Sequence, residues 1–167
     1  MKNSGEGDGV AAAGQPSNMR SRRVTMETVL QKQYVEFGVD HEHYAIPISD
    51  VHEIIRMQEI TEIPSSRHYV KGIINLRGKI VPVLSLRVLL QMEEVTHTKH
   101  TRILVVHHQE ESLGVIVDNV NKVTTFSDIQ PANGSIAGIS GSFFNGVGFS
   151  SSELVGILRL DEILLRD

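Results

Sequence analysis

Residues 69–84 of the chain read YVKGIINLRGKIVPVL, two apolar runs separated by an Arg-Gly pair. The runs Val70–Leu76 and Ile80–Leu84 are compact and have the length of strands. A glycine between such runs favours a tight turn with positive φ, so the segment predicts a β-hairpin with Arg77 and Gly78 at its tip. Arg77 cannot be buried unpaired, so its guanidinium is expected in solvent, as a residue for solubility, or against a carboxylate.

Seven further segments alternate between apolar and polar residues or form compact apolar runs bounded by turn residues. They are Gln33–Val39, His43–Ile48, Arg102–His107, Leu113–Val117, Lys122–Phe126, Phe143–Phe149 and Leu154–Leu160. Strands at this density favour an all-β fold of small barrels or a sandwich over a βαβ sheet. Two similar halves of roughly 55 to 60 residues could each close a small barrel.

The helices of this fold are expected to be short. Ser49 is predicted to cap a first helix whose apolar face runs from Val51 to Ile55. Ser85 is predicted to cap a second helical turn at Leu86–Leu90, and Asp161 to cap a turn near the end of the chain. No long amphipathic helix is predicted.

The composition argues against several classes of function. The chain has 167 residues, of which 40% are apolar, and a formal net charge of −4 with Lys and Arg scattered along it. Nucleic-acid binding needs a basic face, and no run of the sequence predicts one. The absence of cysteine excludes disulfides, thiolate zinc sites and cysteine nucleophiles. No apolar run reaches the length of a membrane helix, so a cytoplasmic protein is expected.

The first 28 residues are predicted to be a disordered tail, because they are rich in Gly, Ser, Asn and Gln and have no apolar periodicity. Residues 29–167 are then the folded domain. Its two predicted barrel subdomains are residues 29–96 and 97–167, with an exchange of terminal strands between them left open.

Candidate chemical motifs are incomplete. The histidines occur in pairs without a recognised ligand spacing, Gly72–Lys79 lacks the spacing and the hydroxyl of a phosphate-binding loop, and Gly138–Gly141 lacks that of a nucleophile elbow. We therefore predict no catalytic residue, metal or cofactor. A metal-dependent β-barrel enzyme that uses the histidines is the weaker alternative.

The motif Ile74-Asn75-Leu76-Arg77-Gly78, followed by Val81-Pro82-Val83, resembles the central signature of the CheW family of chemotaxis coupling proteins. The resemblance extends over roughly Gln33 to Leu165. Other segments that carry it are Gln33–Phe37, Tyr44–Ile48, Val51–Ile55, Gly114–Val120 and Phe144–Gly148.

This resemblance implies two packed, five-stranded SH3-like β-barrels with short helices. It also implies a non-enzymatic adaptor that binds the cytoplasmic tip of a methyl-accepting chemoreceptor and the regulatory domain of the histidine kinase CheA. Such an adaptor is cytoplasmic and meets the membrane only through receptor arrays. A module of a larger CheV-type adaptor, with a receiver domain, is the alternative; the end of the sequence at Asp167 counts against it.

The resemblance also implies a partner-binding surface. Its candidate residues are Asn75, Arg77 and Gly78 at the hairpin tip, Val51, Glu53 and Ile54 on the first short helix, and Val120 in the second half. The apolar members could instead be ordinary core, and the glutamate could pair with the hairpin arginine or be solvated.

Overall fold

β-Strands make up most of the part of the chain that the computed structural model describes, residues 32–64 and 66–164. Ten of these strands form two five-stranded sheets within the unit Gln33–Asp167. The predicted tail, residues 1–28, lies outside the described residues. The all-β fold class predicted from the strand density is confirmed.

The terminal sheet is built from the two ends of the folded unit. Its strands are β1 (Tyr34–Val39), β2 (Glu42–Pro47), β8 (Asn119–Thr124), β11 (Phe144–Ser150) and β12 (Glu153–Leu158). Their spatial order is β11-β12-β2-β1-β8. The pair β12 and β2 is parallel, and the other neighbours are antiparallel.

The central sheet is built from one continuous stretch of chain. Its strands are β3 (Val51–Arg56), β4 (Val70–Leu76), β5 (Lys79–Ser85), β6 (Arg102–His108) and β7 (Glu111–Val117). Their spatial order is β3-β6-β7-β5-β4. Here β5 and β7 are the parallel pair.

Each sheet is closed by one residue downstream of an edge strand, which pairs with a residue of the opposite edge strand. Thr61, downstream of β3, exchanges two backbone hydrogen bonds of 2.9 Å with Ile73 on β4. Gln130, downstream of β8, exchanges two of 2.8 Å with Val147 on β11. These pairs join the two edges of each sheet, as a small barrel requires.

The two sheets do not follow the division of the chain at residues 96 and 97. The central sheet takes strands from both sides of that division, and so does the terminal sheet. The subdomain limits at residues 29–96 and 97–167 stay a prediction. Along the chain, the strands belong first to the terminal sheet, then to the central sheet and then to the terminal sheet again.

Three clusters of buried side chains account for the packing. Ile103 and Val105 belong to a cluster inside the central sheet, and Tyr34 and Val155 to one inside the terminal sheet. The largest cluster, the shared core, takes residues from both sheets, among them Phe37, Tyr44, Ile46, Leu104, Val106 and Val115. Strand β6 is therefore buried on both faces, which explains why its sequence is a compact apolar run and does not alternate.

The helices differ from the prediction in two of three places. The chain from Val51 to Arg56 is strand β3, and only Ile48–Asp50 before it forms a 3₁₀ turn, with no side-chain cap from Ser49. Helix α1 (Leu86–Leu89) begins as predicted, because the Ser85 side chain accepts a hydrogen bond from the Val88 amide.

Two smaller elements complete the described chain. Helix α2 (Leu160–Leu164) contains Asp161 in its first turn, so the prediction that this residue caps the helix is wrong. The Gly- and Ser-rich segment after β8 forms a two-stranded ribbon, β9 (Ser135–Ile136) and β10 (Ile139–Ser140), followed by a 3₁₀ turn at Gly141–Phe143.

Candidate functional site

The predicted hairpin tip is present and ordered by its own side chains. Leu76 and Lys79 are the last paired residues of β4 and β5, so Arg77 and Gly78 form a two-residue turn. Their φ angles are 53° and 85°, the positive values that a type I′ turn requires. The Oδ1 atom of Asn75 accepts a hydrogen bond of 2.8 Å from the Gly78 amide. The turn therefore presents Arg77 on a defined backbone.

Arg77 takes the second of the two roles that the sequence leaves open. Its Nη1 donates to Oε1 of Glu53 at 3.2 Å, and its Nη2 donates to Oε2 of the same carboxylate. The hydrogen bonds from Arg77 lower the pKa of Glu53, and those to Glu53 raise the pKa of Arg77. The Arg77 side chain remains 67% exposed, whereas that of Glu53 is 24% exposed. Glu53 thus orients an arginine that faces solvent.

Glu53, Val51 and Ile54 lie on strand β3 and not on a helix. Val51, Glu53 and Ile55 are half-buried, whereas His52, Ile54 and Arg56 are exposed. Val51 packs against the shared core, and Ile54 is 41% exposed. Of the two apolar candidates on this strand, Ile54 is therefore the one that a partner could reach.

Val120 lies on a different sheet from the other six candidates. It belongs to β8, opposite Phe37 of β1, and packs half-buried against the shared core. The structure thus brings together the hairpin tip and β3, and leaves Val120 on the terminal sheet.

Ile80 is an exposed apolar residue near the hairpin tip. The sequence predicts that it lies in a strand but does not identify it as a candidate for partner binding. It lies opposite Asn75 in the β4–β5 pair and is 57% exposed. Together with Thr61 and Ile73, these two residues border a depression of about 390 Å³. The available signal was its position, since an isoleucine two residues after the turn lies close to the hairpin tip.

A second group of charges connects the two sheets. Arg87 on α1 donates from Nε to Oδ1 of Asp118 at 3.0 Å and from Nη2 to Oδ2 at 2.6 Å. Asp118 follows β7, and its Oδ2 also accepts from the Asp40 amide in the β1–β2 turn at 2.8 Å. Burial opposes the ionisation of Asp118, but the hydrogen bonds from Arg87 and Asp40 outweigh it and lower its pKa. We call this group the inter-sheet tie.

Within residues 32–64 and 66–164, no three His, Asp or Glu side chains come close enough together to hold a metal ion. The same residues contain no helix with the length and apolar character needed to span a membrane.

Comparison with known proteins gives a consistent result. A family model described as CheW-like domain matches residues 33–167. The chain is 34% identical over 149 residues to chemotaxis protein CheW of Helicobacter pylori, covering 88% of each chain. It is 35% identical over 111 residues to chemotaxis protein CheW of Bacillus subtilis, covering 65% of this chain and 71% of that one.

A solved structure gives the same result. The scaffolding protein TtCheW from Thermoanaerobacter tengcongensis matches with a TM-score of 0.72 at 32% identity, over 78% of this chain and 85% of that one. The two sheets with few helices agree with the predicted pair of SH3-like β domains.

Proposed function

The chain belongs to the CheW family of chemotaxis adaptors, and from that premise we propose that it joins the cytoplasmic tips of methyl-accepting chemoreceptors to the regulatory domain of the histidine kinase CheA. Members of this family are scaffolds and not enzymes, and we assign no catalytic residue. We place the protein in the cytoplasm, held at the membrane by receptors of an array.

The exposed, pre-oriented Arg77 carries the assignment of the binding surface. A guanidinium has five N–H donors, and the two hydrogen bonds to Glu53 leave others for a carboxylate or carbonyl of a partner. Because Glu53 and the type I′ turn hold Arg77 in place, less conformational entropy is lost when the partner binds.

Apolar side chains beside the arginine complete the proposed surface. Ile54 on β3 and Ile80 on β5 are 41% and 57% exposed, so burial against a helical receptor tip would remove apolar area from water. Val51 and Val120 are proposed to support this surface from inside the fold, since both pack half-buried against the shared core. Repetition of such modest contacts in an array would raise the overall avidity.

The test is the co-sedimentation of receptor cytoplasmic fragments and CheA with the purified chain, comparing wild type with Arg77→Ala. We expect receptor association to weaken about tenfold, the effect of losing one charge-assisted contact. The urea midpoint should fall only slightly: Glu53 loses its cation, but Arg77 is mostly exposed, no other hydrogen bond of the described residues depends on it, and the backbone turn remains.

Lys122→Ala is the matched control. Lys122 lies on β8, the edge strand of the terminal sheet, and its Nζ donates to Oγ of Ser151 at the tip of the β11–β12 hairpin. The control loses one exposed cation and one hydrogen bond to a hairpin tip, and it should bind receptor as the wild type does. Equal receptor binding by wild type and Arg77→Ala would remove the hairpin tip from the proposed surface.

A further inference from the structure

A basic depression lies at the far end of β3 from Glu53. Arg56, Met57 and Thr98–Arg102 line a space of about 490 Å³, and we call it the basic groove. Its lining includes Lys99 and His100 and contains no Asp or Glu. In a chain whose net charge is −4, this is a local concentration of positive charge.

Two arginines of the groove lie on neighbouring strands, directly opposite each other. Arg56 and Arg102 are direct partners in the antiparallel β3–β6 pair, so their side chains leave the same face of the sheet. Like charges directly opposite each other destabilise a sheet. Among the residues that the structure describes, no carboxylate forms an ion pair with either arginine. A bound anion would offset the repulsion between the two positive charges that this register places on one face.

The groove is also pre-organised. Nη1 of Arg102 donates to the carbonyl oxygens of Lys99 at 2.8 Å and of Thr101 at 2.9 Å. The loop that supplies these carbonyls is fixed in turn, because the Thr98 amide donates to Oγ1 of Thr101 at 2.9 Å. The guanidinium is therefore oriented before any ligand arrives, at a point where β6 begins.

We propose that the basic groove binds an acidic segment of a protein partner and extends the proposed binding surface along β3. Ile54 and Arg56 are two residues apart on the exposed face of this strand, so an occupant that covers Ile54 continues onto the arginines. The inference rests on the proposed function, because an adaptor has protein partners and the occupant is taken to be one of them.

Charge favours a protein segment over an anionic lipid surface. The chain as a whole has a net charge of −4, so a broad anionic layer would meet the acidic remainder of the protein as well as the basic groove. A short acidic segment meets only the groove, whose wall also offers the half-buried Met57 as an apolar contact.

The test uses a fluorescein-labelled short peptide of alternating Glu and Leu, with fluorescence anisotropy at low and high salt. The full chain should bind it, and the double variant Arg56→Glu/Arg102→Glu should bind about tenfold or more weakly. The same peptide with Gln in place of Glu should not bind. Lys122→Glu/Arg159→Glu, which reverses two exposed cations outside the groove, is the matched control and should bind as wild type does.

Folding is checked with Arg56→Gln, which removes one charge of the repelling pair. This variant should have a higher melting temperature than wild type and a lower affinity for the peptide. Wild-type affinity in the charge-reversed variants would overturn the inference. So would binding of vesicles that contain phosphatidylserine, if it requires Arg56 and Arg102 while the peptide does not bind.

The co-sedimentation assay separates this inference from the proposed function. If Arg77→Ala loses the receptor while the groove variants keep the peptide, the groove is wrong and the adaptor function stands. If the wild-type chain binds neither receptor nor CheA but needs Arg56 and Arg102 for the peptide, the adaptor function is wrong and the groove stands.

Discussion

Replacing Arg87 by methionine is expected to destabilise the protein strongly, because it removes the centre of the inter-sheet tie. The Arg87 side chain is only 14% exposed and that of Asp118 is 25% exposed. The variant loses both hydrogen bonds to Asp118 and a third, of 3.0 Å, from Nη1 to the Glu93 carbonyl. It leaves a carboxylate that is mostly shielded from water without its cation.

The magnitude follows from that geometry. Breaking a fully buried ion pair by removing one partner costs about 3–5 kcal/mol. Since a quarter of the Asp118 side chain reaches solvent, which solvates the remaining charge, we expect about 2–3 kcal/mol here. For a chain of this size, that corresponds to a fall in melting temperature of roughly 4–12 °C.

The assay is urea unfolding followed by far-UV circular dichroism on a double-mutant cycle of Arg87→Met and Asp118→Asn. Asparagine keeps an oxygen for the Asp40 amide and removes the charge, so the double variant should be less destabilised than the sum of the single variants, with a coupling energy of about 1–2 kcal/mol. A single Arg87→Met change below about 0.5 kcal/mol, or additive variants, would refute the idea that this ion pair holds the sheets together.

Two further predictions concern the hairpin and the tie. Gly78→Ala is expected to cost about 1 kcal/mol in urea unfolding, because φ is 85° there while an added Cβ meets no atom within 4 Å; no change, or a cost above about 3 kcal/mol, would contradict this. Because the folded state lowers the pKa of Asp118, its contribution to stability is present above the unfolded value and lost as pH falls through the folded pKa. Wild type should therefore lose stability more steeply than Asp118→Asn in titrations from about pH 5 down to pH 2, and parallel curves would argue against it.

The hairpin at residues 69–84 could be predicted because the information that forms it is local. Apolar runs of strand length and a glycine between them are sufficient to predict a turn with positive φ. The helical cap at Ser85 could be predicted for the same reason, since the hydroxyl acts on an amide three residues away.

Strand β3 could not be predicted from the sequence, because its apolar residues fit both the period of a helix and that of a strand. Val51, Ile54 and Ile55 have the i, i+3, i+4 spacing of a helix face, and that spacing also occurs in a strand that uses both faces. In the structure Val51 packs against the shared core and Ile55 against the interior of the central sheet, which leaves Ile54 exposed. Tertiary packing decides between the two periods, and one sequence does not show it.

The proposed binding residues differ in the same way in how far the sequence predicts them. Arg77 and Glu53 were predicted as candidates, and their pairing was one of two possibilities. The basic groove was not predicted, because Arg56 and Arg102 are 46 positions apart and become neighbours only through the β3–β6 register. A search for basic runs in the sequence cannot find such a pair.

The two sheets provide an internal comparison, since they have the same plan. The order β3-β6-β7-β5-β4 corresponds to β8-β1-β2-β12-β11, with the parallel pair at the same place in each. The β4–β5 hairpin then corresponds to the β11–β12 hairpin, whose tip is Ser151–Ser152. Its φ angles of 51° and 68° are also positive. The same turn thus forms without either arginine or glycine.

Each hairpin tip contacts the strand at the opposite edge of its own sheet, β3 in the central sheet and β8 in the terminal sheet. In the central sheet the contact is the paired hydrogen bonding of Arg77 to Glu53, and in the terminal sheet it is a single hydrogen bond of 3.0 Å from Lys122 to Ser151. Because closure of the sheet and formation of the turn succeed with the weaker contact, the fold does not require an ion pair at this position. The charge of Arg77 therefore needs a reason outside folding, and the partner proposed to bind the hairpin tip would provide one.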